Sequence, residues 1–156
     1  MAQRTKEHKK FSMQISKTSS SNDLKSSLLE LMGLYLELVD KKKNVLTTLL
    51  QNLADQDIDR FEFNSQNLFR LNQIINSTRV KIDEHSHSLV PYKSSELKKT
   101  VIAWIEDCRI RDAKAKDLQT EVISKAKTLQ SLIKKEIGSV FKNRAAIKGY
   151  AQNASK

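Results

Sequence analysis

Three glycines, one proline and one cysteine among 156 residues leave this chain few places to reverse direction. So few breakers disfavour a fold of short strands and tight turns and leave long helices as the natural alternative. A single cysteine excludes an internal disulfide. The most apolar run, LLELMGLYLELV, is interrupted by Glu30 and Glu37 and is too short to span a bilayer. Also missing are a signal-peptide pattern, a Gly-rich phosphate loop, a Ser/His/Asp arrangement and a convincing carboxylate pair. These absences predict a soluble, cytoplasmic binding protein with no catalytic site, no metal and no cofactor.

What is present is charge, unevenly placed. Residues 1–22 carry five Lys/Arg against Glu7, a net +4. Residues 23–93 carry nine basic against ten acidic side chains, and residues 94–123 balance six against six. Residues 124–156 carry eight against Glu136 alone, a net +7. A neutral body with two basic ends suggests tails or docking segments rather than a uniformly basic binding face.

Apolar content of 38% suffices for one core if it is striped, and it is. Residues 1–22 are polar, basic and serine-rich, and are expected to form a disordered basic arm or to become helical only on binding. Residues 23–156 are expected to form a single helical domain. Ser21, Asn22 or Asp23 can cap a first helix. In it Leu28, Leu31, Tyr35, Leu38, Val45 and Leu49 form one stripe, with Lys42 its polar step. Met32, Val39, Leu46 and Leu53 form a second. Two adjacent stripes require two neighbours, which is a bundle rather than an isolated coil.

Asp55-Gln-Asp-Ile-Asp-Arg should break this helix and cap the next. Its acids match the start of a calcium loop, but Arg60 stands where glycine is needed and Gln66 where glutamate is needed. Capping explains them better. The second helix, about Ile58 to His85, carries Phe61, Leu68, Ile75 and Ile82 every seven residues. Phe63 and Phe69 lie off that stripe, facing a second neighbour or a partner. HSHSLVPYKSS reads as a loop, in which His85 and His87 are too weak a pair to indicate a metal.

The third helix, about Ser95 to Tyr150, would be on the order of 80 Å long and therefore the spine of the molecule. Its stripe runs Leu97, Val101, Trp104, Cys108, Ala115, Leu118, Val122, Leu129 and Leu132, with gaps at Arg111 and Lys125. A flanking stripe continues through Ile133, Ile137 and Val140. Cys108 falls on the core side as a structural thiol. Gly138 suggests a bend or a close approach. The fold expected is all-α: an elongated antiparallel bundle of three long helices whose C-terminal helix extends beyond it.

Three stretches carry a family resemblance: LLELMGLYLELVDKKKNVLTTLLQNLADQDIDRF, DCRIRDAKAKDLQTEVISKAKTLQSLIKK and the terminal FKNRAAIKGYAQ. Over about Leu24 to Gln152 the chain resembles the FlgN-type flagellar export chaperones in layout. The resemblance implies a cytosolic chaperone that binds helical terminal segments of hook–filament junction proteins and delivers them to the export gate. It implies a client-binding stripe of Leu129, Leu132, Ile133, Ile137, Val140 and Phe141, with Tyr150 docking to the gate. The chain departs from the family in its basic arm, its unusually basic C-terminus and the placing of Gly149 before the tyrosine rather than after it.

Periodicity leaves three uses open for the C-terminal stripe: a client groove, the core face of a fourth bundle position, or a homodimer seam. The corresponding functions are a chaperone, a basic coiled coil that binds nucleic acid through residues 1–22 and 124–156, and a homodimeric scaffold. Binding to phosphates would weaken steeply with salt. The basic ends carry few aromatics (Phe11, Phe141 and Tyr150) and match no nucleic-acid recognition motif.

Overall fold

A computed structural model describes the backbone of residues 4–90 and 94–153, with side chains over 21–90, 94–145 and at Ile147. Three helices account for nearly all of it: α1 (Arg4–Ala54), α2 (Ile58–Ser88) and α3 (Ser95–Asn153). No strand occurs among the described residues. The all-α bundle of three long helices is therefore the fold of this chain.

The two reversals are built as short caps. Asp55 and Asp57 donate their backbone N–H groups to the carbonyls of Gln51 and Asn52 at 2.9 Å, and Gln56 between them takes a positive φ of 56°. Asp57 then caps α2, its carboxylate accepting from the Arg60 amide at 3.1 Å. Gln51 donates to the Asp55 carboxylate at 3.0 Å, so the acids of this turn serve its own helix ends. At the other reversal the Ser94 hydroxyl accepts from the Leu97 amide at 3.1 Å, starting α3.

Long-range bonds give the register. Asn64 donates to Asn52 at 2.9 Å near one end of the α1–α2 pair, and Ser27 lies 3.2 Å from His85 near the other, so these helices are antiparallel. Trp104 donates to the Met32 carbonyl at 3.0 Å and Tyr35 to Asp112 at 3.3 Å, so α1 and α3 run in the same direction. An offset of 71 to 77 residues places the end of α1 level with roughly residue 125 to 131 of α3.

Both expected stripes of α1 are covered: Leu28, Tyr35, Leu38 and Leu49 on one row, Met32, Val39, Leu46 and Leu53 on the other. They pack into two clusters. The first joins α1 to Ile75, Ile82, Leu97 and Cys108. The second joins Leu46, Leu49 and Leu53 to Ala115 and Val122. The helix common to both neighbours is α1, which packs extensively on α2 and on α3, whereas α2 and α3 approach each other little. The expectation that α3 is the spine is corrected accordingly: α3 is the longest helix, but α1 has the wider apolar face, and face width determines the number of neighbours.

Two further boundaries differ from expectation. α1 begins at Arg4, not at a cap near Ser21, and so runs through the segment read as a disordered arm. Neither proline nor glycine occurs before Leu24, and extending a helix already anchored by packing costs little per residue. α2 continues to Ser88, so His85 and His87 lie in its last turn rather than in a loop. Their Nδ1 groups lie 2.8 Å and 2.7 Å from the Lys81 and Asp83 carbonyls, one turn back. A carbonyl can only accept, so Nδ1 carries the proton in both rings. Pro91, Tyr92 and Lys93 of the expected loop lie outside the described residues.

Candidate partner-binding face

α3 is locked to α1 along one seam, and that seam aims everything beyond it. Tyr35 and Trp104 meet edge to face, ring centroids 5.6 Å apart at 65°. Burial, with the Asp112 carboxylate second, pushes the Tyr35 hydroxyl up to about 12. Burial likewise pushes the Cys108 thiol up to about 11, which keeps it protonated and unreactive at neutral pH. Arg111, a gap in the apolar series, bonds Asp107 of its own helix at 2.9 Å and Asp40 of α1. The pair sits between the two apolar clusters and ties α3 to α1 across 71 residues. The lysine bond of Lys43, and then Arg111, hold the Asp40 carboxyl below its usual range, and the Arg111 bond does the same for Asp107.

Beyond Leu129 the situation changes. Val122 is buried and Leu129 is half-buried against the second cluster. Ile133 is 42% exposed, Ile137 51%, Val140 49% and Ile147 67%. At 3.6 residues per turn these four lie on the line that Trp104, Ala115 and Val122 present to α1. The buried face of α3 thus continues in register to Ile147, roughly 25–30 Å past the end of α1, and from Ile137 onward has no neighbour among the described residues. Leu132 and Phe141, also exposed, flank it on either side.

The residues expected to hold a client therefore divide. Leu129 belongs partly to the bundle, while Leu132, Ile133, Ile137, Val140 and Phe141 stand free on the projection. Among the described residues no fourth helix lies on them. Tyr150 has its backbone in the last turns of α3, and its side chain lies outside the described residues. Sequence reasoning missed Ile147, although Ala126, Ile133, Val140 and Ile147 recur every seven residues.

It also missed the inner end of the face. Where α3 leaves the bundle, Leu53, Ile58 and Phe61 of the α1–α2 hairpin form a groove of about 560 Å³ with Ile123, Leu129 and Ile133. Lys127 and Lys134 line one edge of it. No short motif could reveal this groove, because its two walls are about 70 residues apart in the chain. A smaller apolar pocket of about 300 Å³ lies at the opposite end of the bundle, between Leu28, Leu89, Leu97 and Ile102. Phe63 and Phe69 of α2 are 65% and 64% exposed and lie on different flanks of that helix, so they form no common surface.

Among the described residues no group of three or more His, Cys, Asp or Glu side chains is placed to hold a metal ion. Among the same residues no helix is long and apolar enough to cross a membrane. No protein-family model, no curated protein and no solved structure matches this chain.

Proposed function

We propose that this protein is a binding module that holds an amphipathic helical segment of a partner against the projecting face of α3, as a chaperone does. The observation that carries the reading is the continuation of the α1-facing stripe of α3 past the end of α1, uncovered from Ile133 to Ile147. A contiguous apolar row of this extent marks an interaction surface rather than scattered surface residues. A partner helix gains the same kind of packing there that α1 gains within the bundle. The resemblance to FlgN-type export chaperones makes hook–filament junction proteins the first partners to test, and gives Tyr150 the role of docking the loaded protein to the export gate.

The test mixes purified full-length protein with a purified junction protein and measures complex mass by light scattering after size exclusion. The reading expects a stable complex that Ile137→Asp abolishes without changing the helical content of the free protein. Tyr150→Ala should keep the complex but lose delivery in a secretion assay. No complex with the parent protein, or a complex indifferent to Ile137→Asp, contradicts the reading.

A further inference from the structure

A helix that covers the α3 projection must match its charges as well as its apolar row. The bundle itself shows what this face demands of an occupant. Within the bundle two charged side chains of α3 meet α1: Asp112 takes the Tyr35 hydroxyl bond, and Arg111, the one cation, is answered by Asp40. On the projection the same side is apolar, apart from Arg144. Arg144 follows Arg111 by thirty-three residues, close to nine whole turns, and so returns to the same side of the helix. It lies beside Phe141 and Ile147 and has no acidic partner among the described residues.

One edge of the stripe points the same way: Lys134 borders it on the side of Phe141, with Glu136 on the opposite flank, while Lys135 and Lys142 lie on the far side of the helix. Lys134, with Lys127, edges the groove at the base of the projection. A second copy of this chain would bring the same lysines and arginine against themselves, which costs energy rather than supplying it. Arg144 on the apolar line also places a charge where an acyl layer would have to bury it, and this disfavours a lipid surface.

We infer that the occupant is an acidic amphipathic helix, which takes beside the α3 projection the place that α1 takes within the bundle. Its apolar row covers Ile133, Ile137, Val140 and Ile147. A carboxylate on that row meets Arg144 as Asp40 meets Arg111, and further acids face Lys127 and Lys134. This inference rests on the helical-partner reading and adds the charge of the partner to it.

Two synthetic peptides test it against the full-length protein by fluorescence anisotropy. Both carry one leucine row at helical spacing; one is flanked by glutamates with a glutamate on the row opposite Arg144, the other has lysine at every such position. The glutamate peptide should bind at least about ten-fold more tightly, with a preference that shrinks as salt rises. Arg144→Glu should reduce that preference. Arg144 and Ile137 lie outside the packed bundle, so variants at both retain the parent helical signal and remain interpretable. Equal binding of both peptides, lost together in Ile137→Asp, overturns the acidic partner and leaves the helical-partner reading standing. Binding of neither peptide overturns both, and so does binding confined to phosphatidylserine vesicles.

Discussion

Tyr35 concentrates much of what holds α3 in place. It is buried against Trp104 and donates to Asp112, and its hydroxyl is pushed up to about 12 from 10.0. Folding therefore favours the protonated phenol. That contribution is present in full below pH 10.0 and is lost as pH rises through about 12. Urea unfolding at increasing pH should show stability falling across this window, and falling less steeply in Tyr35→Phe. At the acid limb the sign reverses. Asp40 and Asp107 are held below their usual range, so their contribution is present at neutral pH and is lost as pH falls through their lowered values. Cys108 gives a further check: the folded protein should resist thiol alkylation at neutral pH, and urea should restore rapid labelling. Much of this was not legible beforehand. Arg111 registers in the sequence only as an interruption of a stripe, because its partner Asp40 is 71 residues away and no local spacing announces it.

The helices themselves were far more legible than their relations. The double row of α1 announced two neighbours, and both are present. Leu46, fully buried among the α1, α2 and α3 side chains of the second cluster, should cost about 2–5 kcal/mol when cut to alanine, measured by denaturant unfolding. The break before α2 followed from capping chemistry and occurs at Asp57, and the loop expected before α3 ends on a further cap at Ser94. The start of α1 and the end of α2 did not follow, because serine-, lysine- and histidine-rich stretches state no stop of their own and a packed helix can extend through them. Gly138 was read as a bend or a close approach. Nothing lies within 4 Å of a Cβ placed there, and it points away from the apolar line of α3. Gly138→Ala should therefore add about 0.5–1 kcal/mol of helix stability, seen as increased helicity of the projection, and should leave partner binding intact.

At the scale of the whole molecule, the packed bundle and the uncovered apolar row separate along α3. Residues up to about Leu129 belong to the bundle, and those beyond it carry the uncovered row. The sequence reading found most of that row because its periodicity does not change as α3 leaves the bundle. For the same reason it could not tell core from surface. A heptad stripe has the same form whether α1 covers it or nothing does, and only the register of α1 against α3 shows where the cover ends. This division predicts a dissociation of effects. Leu46→Ala should lower stability and leave binding to the folded protein intact, whereas Ile137→Asp should leave the unfolding midpoint unchanged and remove binding. Parallel denaturation and light-scattering measurements on the two variants check this.

The most direct measurement is amide hydrogen exchange of the full-length protein, alone and with a purified hook–filament junction protein. The account predicts that exchange slows over residues 130–149 of α3 when the partner is added, while the bundle positions from Leu28 to Leu53 exchange as before. Slowing confined to α2 or to the start of α1, or no slowing anywhere, would contradict it.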